Sequence, residues 1–196
     1  MALTNWENGK QVVDTAGDTL TTLMGLLKEN IIGNPETNQE LFSRIASVQV
    51  IFDLGSDVNG FSSQPFLNRE SFPHLTTLHT VDRDAEQILL QVPPCISHTH
   101  HKQEIAPFIL TTTDEADVTL LFNVPQTGIN TSEEYQALAQ HHTDLGLIIE
   151  AGFYSLDKTQ MNEAGFELIW SFPNFCKIWR RRSQPTITPL PTRASV

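Results

Sequence analysis

Cysteine is scarce in this sequence: Cys95 and Cys176 stand alone among 196 residues, and no CxxC occurs. That excludes a disulfide framework, and both thiols read as small buried hydrophobes. Basic residues are also few, with 12 Lys and Arg against 23 Asp and Glu and a formal net charge of −11. Every acid precedes Leu168, whereas Arg180, Arg181, Arg182 and Arg193 all follow it. So acidic a body is a poor clamp for a nucleic-acid backbone, whose affinity comes from Lys and Arg on phosphates. It is equally unsuited to an anionic membrane surface. No apolar run approaches the ~20 residues of a membrane-spanning helix. The polar start MALTNWENGK lacks the apolar core of a signal peptide, so a reducing cytoplasm is the default expectation. There is neither an internal repeat nor a low-complexity block.

What is present alternates. From Gln11 to Glu29, Val12, Val13, Leu20, Leu23, Met24, Leu26 and Leu27 recur at roughly helical spacing. Asn34-Pro35-Glu36 opens a second helix, over Leu41, Phe42 and Ile45, that ends near Ser47. Strands are expected at Val48–Phe52, Leu75–Val81, Ile96–His101, Asp117–Phe122 and Leu145–Ile149. Thr131 with Glu134 forms a capping box for a helix over Ser132–His142, and a short helix from Asp157 stops at Gly165. Phe166–Trp170 and Phe175–Trp179 read as an antiparallel hairpin around Ser171-Phe172-Pro173-Asn174. Strand–helix alternation with apolar strands predicts an α/β fold, a doubly wound, seven-stranded, mostly parallel sheet ending in an antiparallel hairpin. Residues 1–46 would be a helical extension or lid, 47–182 the body, and 183–196, with Pro185, Pro189 and Pro191, a flexible tail.

In such sheets ligands bind beyond the carboxyl ends of the strands. After the first strand comes Asp53-Leu54-Gly55-Ser56-Asp57-Val58-Asn59-Gly60-Phe61, whose glycines permit a tight turn and close backbone approach. Asp82 follows the second strand, where its carboxylate can take ribose hydroxyls, and Asn123-Val124-Pro125-Gln126 follows the fourth.

In these stretches the sequence resembles the class I S-adenosylmethionine-dependent methyltransferases, from about Ile45 to Arg181. VIFDLGSDVNGF stands where that family has its acidic, glycine-rich motif. TLHTVDRDAEQI, ADVTLLFNVPQ, LGLIIEAGF, NEAGFELIW and CKIWRRR resemble its later strands. The family's acid-x-Gly-x-Gly-x-Gly is met by Asp53 and Gly55, but Asp57 replaces the middle glycine and Gly60 comes one residue late. The resemblance implies an S-adenosylmethionine cofactor and methyl transfer to a small molecule by in-line displacement. It implies Asp53, Gly55, Ser56, Asp57 and Gly60 around the methionine portion, and Asp82 on the ribose. It places Arg83, Gln103 and Glu104 at the adenine, and Asn123 and Val124 under the methionine part. No catalytic residue follows from it. The oligomeric state stays open, a homodimer included.

Two alternatives stand beside this. One is a non-catalytic relative of the same fold, acting as a partner or assembly subunit. The other rests on Ser97-His98-Thr99-His100-His101-Lys102-Gln103-Glu104, in which His98, His100 and Glu104 are a candidate first-row metal set resembling the first cupin motif. That alternative requires an all-β fold. His141 and His142 near a helix end read as cations against the helix dipole.

Overall fold

The computed structural model describes residues 16–31, 33–122, 128–152, 155–172 and 176–183. The proposed tail beyond 183, the start of the first helix, and Asn123 and Val124 lie outside the described residues.

The N-terminal periodicity becomes α1 (Ala16–Lys28) and α2 (Pro35–Ala46). Asn34 Oδ1 accepts the amides of Glu36 and Thr37 at 2.8 and 3.3 Å, and Pro35 sits in the first turn, so α2 begins where its signals place it. The strands are β1 (Val50–Leu54), β2 (Thr77–Val81), β3 (Ser97–His101), β4 (Ala116–Phe122), β5 (His142–Ala151), β6 (Phe166–Phe172) and β7 (Cys176–Arg181). Three further helices are α3 (Ile105–Thr111), α4 (Ser132–Gln140) and α5 (Lys158–Glu163). The capping box of Thr131 and Glu134 is present at α4. Asp157 caps α5, and Gly165 follows that helix at φ +95°.

All seven strands join one sheet in the order β3-β2-β1-β4-β5-β7-β6. β1 to β5 run parallel, and β7 is antiparallel to both β5 and β6. Side chains alternate between two cores. Ile51, Leu78, Val118, Leu120 and Ile149 pack with Leu20, Leu23 and Leu27 of α1 and Leu41 and Ile45 of α2. Phe52, Leu54, Val81, Leu121 and Ile148 pack on the opposite face with Phe108 of α3, Leu138 of α4 and Met161 of α5. No described helix is long and apolar enough to cross a membrane.

Several expectations change: His142, expected in the helix over Ser132–His142, begins β5, and Ser171 and Phe172, expected in the hairpin turn, extend β6. β1 starts at Val50 rather than Val48, because Asp117 Oδ2 takes the amides of Gln49 and Val50 at 2.9 and 3.0 Å. Asp53 and Leu54 pair with Thr80 and Val81 of β2, so they lie inside the strand, not after it. Strand–helix alternation also fails in the first half. The β1–β2 connection holds only a 3₁₀ turn, Gln64–Leu67, and the β2–β3 connection has no helix. Gly60, Pro65, Asn68 and Pro73 interrupt any helical run there, and Phe66 and Phe72 join α1 and α2 in covering that face.

The pairing of β4 and β5 shifts register between Ala116 and Val118. A Cβ on Gly146 would stand 2.9 Å from Thr143 O and 3.2 Å from Ala116 O, both backbone atoms. Gly146→Ala is expected to destabilise the fold by about 1–3 kcal/mol through overpacking. An unchanged urea midpoint would show that the irregularity relaxes freely.

Candidate functional site

The parallel strands bring the predicted residues that lie among the described ones to one end of the sheet. Asp53, the penultimate residue of β1, is fully buried. Ser62 Oγ donates to it at 2.6 Å and Ser63 Oγ also bonds it. Burial pushes its pKa up to about 6, against the lowering effect of the two serines, and the charge of Asp82 adds to the rise. The carboxylate is thus committed to the loop that follows it.

That loop turns through three left-handed residues, Gly55 at φ 80°, Asp57 at φ 58° and Gly60 at φ 58°. Asp57 replaces a glycine of the family pattern yet keeps a glycine-like conformation, which aspartate tolerates better than most residues. Gly55 and Ser56 donate their amides to Val81 O at 2.7 and 3.2 Å, tying the turn to the end of β2. Ser56 is buried, and its Oγ has no hydrogen-bond partner among the described residues.

Asp82, directly after β2, is half-buried. Its Oδ2 accepts the Asp57 amide at 3.0 Å, and its Oδ1 accepts the amides of Asp84 and Ala85 at 2.8 and 3.0 Å. A carboxylate has about four acceptor positions, so about one remains, on Oδ2. With the loop in this conformation the carboxylate has room for one further donor rather than two.

Beside it, Arg83 reaches Asp84 at 3.1 Å and Glu104 at 3.3 Å, all exposed, which places Glu104 next to Arg83 at the ends of β2 and β3. Gln103 is half-buried in the same bend, its amide bonded to His101 O at 3.0 Å. The candidates Asp53, Gly55, Ser56, Asp57, Gly60, Asp82, Arg83, Gln103 and Glu104 thus gather at the carboxyl ends of β1 to β3.

Sequence reasoning missed how this end is covered. Leu89 donates its amide to Val58 O at 2.7 Å. The side chains of Leu90 and Ile88 come within 3.3 and 3.4 Å of where a Cβ of Gly60 would be. The β2–β3 connection therefore lies on the glycine turn. Ser62 and Ser63 were missed too, since nothing in a sequence marks a hydroxyl that meets a strand ten residues away. At the end of β5, buried Glu150 accepts from Trp179 Nε1 at 2.9 Å and pairs with Lys177 at 3.2 Å.

The histidines do not form the metal set considered above. His98 and His100 share a face, as strand alternation requires, but both turn to Thr80 Oγ1, at 3.0 and 3.1 Å. Glu104 pairs with Arg83 instead. Among the described residues no three His, Cys, Asp or Glu groups converge as a metal site, and the mixed α/β sheet rules out a cupin. His142 is fully buried in β5, its Nδ1 donating to Leu138 O at 2.6 Å, and burial lowers its pKa to about 4. It is a neutral core residue rather than a cation at a helix end.

No family model and no curated protein sequence matches the chain. In three dimensions it is similar to MNMC2 from Aquifex aeolicus, with a TM-score of 0.51 and 11% identity over 73% of this chain and 56% of that one. It is similar to a conserved hypothetical protein from Streptococcus pyogenes, with a TM-score of 0.50 and 13% identity over 73% and 94% of the two chains. A lower score, 0.49, relates it to the sugar N-methyltransferase KedS8 from a Streptoalloteichus species, at 10% identity over 74% and 85%. The chain spans 65%, 48% and 59% of the length of three further structures that it matches. At such identities the likeness is one of fold. A parallel sheet wound outward from β1 in both directions and closed by an antiparallel hairpin at the far edge is the class I methyltransferase fold, and the likenesses at TM-scores of 0.51 and 0.50 are likenesses of fold alone.

Proposed function

We propose that the chain binds S-adenosylmethionine at the carboxyl ends of β1 and β2 and transfers its methyl group to a small-molecule acceptor. The observation that carries this reading is the contact of Asp57 N with Asp82 Oδ2 at 3.0 Å. It sets an acid with a free acceptor position against a left-handed turn, the arrangement a ribose and an adjoining amino-acid portion need. The buried, unpartnered hydroxyl of Ser56 fits the same occupant, because an orphaned polar group costs free energy until a ligand satisfies it. Asp82 would hold one ribose hydroxyl, Arg83 and Glu104 would flank the adenine, and Ser56 would bond the methionine end. The cofactor, once bound, supplies an electrophilic methyl group on a sulfonium. The chain's part is to orient the acceptor and exclude water, and orientation can contribute ~7–11 kcal/mol. No residue is assigned to proton transfer.

A second reading, a non-catalytic protein of this fold that serves as a partner or assembly subunit, is favoured by one observation: Leu90 and Ile88 pack against Gly60. Calorimetric titration with S-adenosylhomocysteine separates the two. The first reading requires saturable binding near one equivalent, followed by detectable methyl loss from S-adenosylmethionine with some acceptor. The absence of binding heat, backed by an unchanged melting temperature in excess ligand, would leave the second.

A further inference from the structure

Three adjacent parallel strands carry polar residues in register. Asp53, Thr80 and His100 are in register across β1, β2 and β3, so their side chains share one face of the sheet. Thr80 is fully buried. His100 Nε2 stands 2.9 Å from Ala85 O, His100 Nδ1 stands 3.1 Å from Thr80 Oγ1, and His98 Nε2 stands 3.0 Å from that same oxygen.

The hydrogen positions follow from what each atom can do. A carbonyl only accepts, so His100 Nε2 carries a hydrogen and donates to Ala85 O. In an uncharged ring Nδ1 is then bare and accepts, so the Thr80 hydroxyl donates to it. With its one hydrogen spent, Thr80 Oγ1 is left to accept, and His98 Nε2 donates. Burial holds His98 below the usual imidazole range, which keeps its ring neutral. The line is directional: His98 to Thr80, Thr80 to His100, His100 to Ala85.

It does not end at Ala85. The amide of that residue donates to Asp82 Oδ1 at 3.0 Å, beside the Asp84 amide at 2.8 Å. One residue is therefore fixed on both sides, its carbonyl by His100 and its amide by Asp82. We propose that His100, oriented by Thr80 and His98, is a positioning residue that holds the turn at 82–85 and so fixes the carboxylate of Asp82 for a ribose hydroxyl. This rests on the methyltransferase reading for what Asp82 binds. The holding of the turn stands without it.

The test compares His100→Leu, which has no donor for Ala85, with His100→Gln, whose amide can donate to Ala85 and accept from Thr80. Both are made in the wild-type and Asp82→Asn backgrounds. S-adenosylhomocysteine affinity is expected to fall about fivefold to tenfold in His100→Leu, the size of coupling within one hydrogen-bond network, and to return within about twofold in His100→Gln. In the Asp82→Asn background His100→Leu should cost almost nothing further. An unchanged affinity in His100→Leu overturns the proposal, and so does an equal loss in both backgrounds. Amide hydrogen exchange at Asp84 and Ala85, measured without ligand, is expected to quicken in His100→Leu and recover in His100→Gln. If the wild type binds no cofactor, the functional reading falls, and this exchange arm alone decides whether His100 holds the turn. Unchanged exchange overturns it. Should His100→Leu fail to fold, Thr80→Val and Thr80→Ser form the same pair, losing and keeping the hydroxyl that orients His100.

Discussion

The unfolding free energy of an Asp53→Asn variant, relative to the wild type, is expected to shift in the variant's favour by about 3 kcal/mol as pH rises from about 4 to about 6. Asp53 has a folded-state pKa of about 6 against an ordinary aspartate value of 3.8, because burial penalises its ionised form. Between these values the folded chain binds more protons than the unfolded one, so the wild type loses stability as pH rises through the window. The protonated acid is neutral in the core, whereas above pH 6 the charge must be carried there. Asparagine has no charge to bury and no such slope. His142 works in the opposite direction. Its folded pKa of about 4 lies below the ordinary imidazole value of 6.5, so the unfolded chain binds the extra proton. Its contribution is complete above about pH 6.5 and is lost as pH falls toward 4, again about 3 kcal/mol. The two slopes nearly cancel in the wild type. Asp53→Asn should therefore uncover steep acid destabilisation, and His142→Asn, which keeps a donor for Leu138 O, should uncover destabilisation on the alkaline side. Urea midpoints at half-unit steps from pH 4 to 7 measure both. Parallel profiles for the wild type and Asp53→Asn would contradict the assignment of Asp53.

Asp82→Ala is expected to weaken S-adenosylhomocysteine binding about tenfold to a hundredfold. It removes one charge-assisted hydrogen bond worth ~1.5–3 kcal/mol. It should not leave the fold untouched, because the carboxylate also accepts the amides of Asp57, Asp84 and Ala85. The Asp84 amide is exposed and those of Asp57 and Ala85 are part-buried, so water replaces part of what they lose and a loss of about 1–2 kcal/mol is expected. Asp82→Asn separates the two roles. Its remaining oxygen can keep the bonds of Asp84 and Ala85, restoring much of the melting temperature, while the charge and the free acceptor position are lost. Affinity should stay low in both variants. An affinity equal to that of the wild type in Asp82→Asn would remove Asp82 from the binding site.

Much of the molecule is legible in the order of its residues. The Asn34 cap, the Thr131–Glu134 box, the Gly165 stop and the terminal hairpin all appear where local chemistry puts them. Each is decided within a few residues by hydrogen bonds and backbone preference, so a sequence window contains the whole cause. Apolar strands in a strand–helix series also implied a parallel sheet, and the place of Asp82 after β2 put an acid beside the glycine turn. What needed the tertiary structure was the allegiance of each polar group. Asp53 belongs to Ser62 and Ser63, His98 and His100 belong to Thr80, and His142 belongs to the core. These pairings join residues brought together by sheet register, and register depends on the packing of both faces at once. The missing crossover helices have the same origin. With α1 and α2 packed on one face of the sheet, the chain between β1 and β3 was free to fold over the glycine turn instead of forming helices of its own.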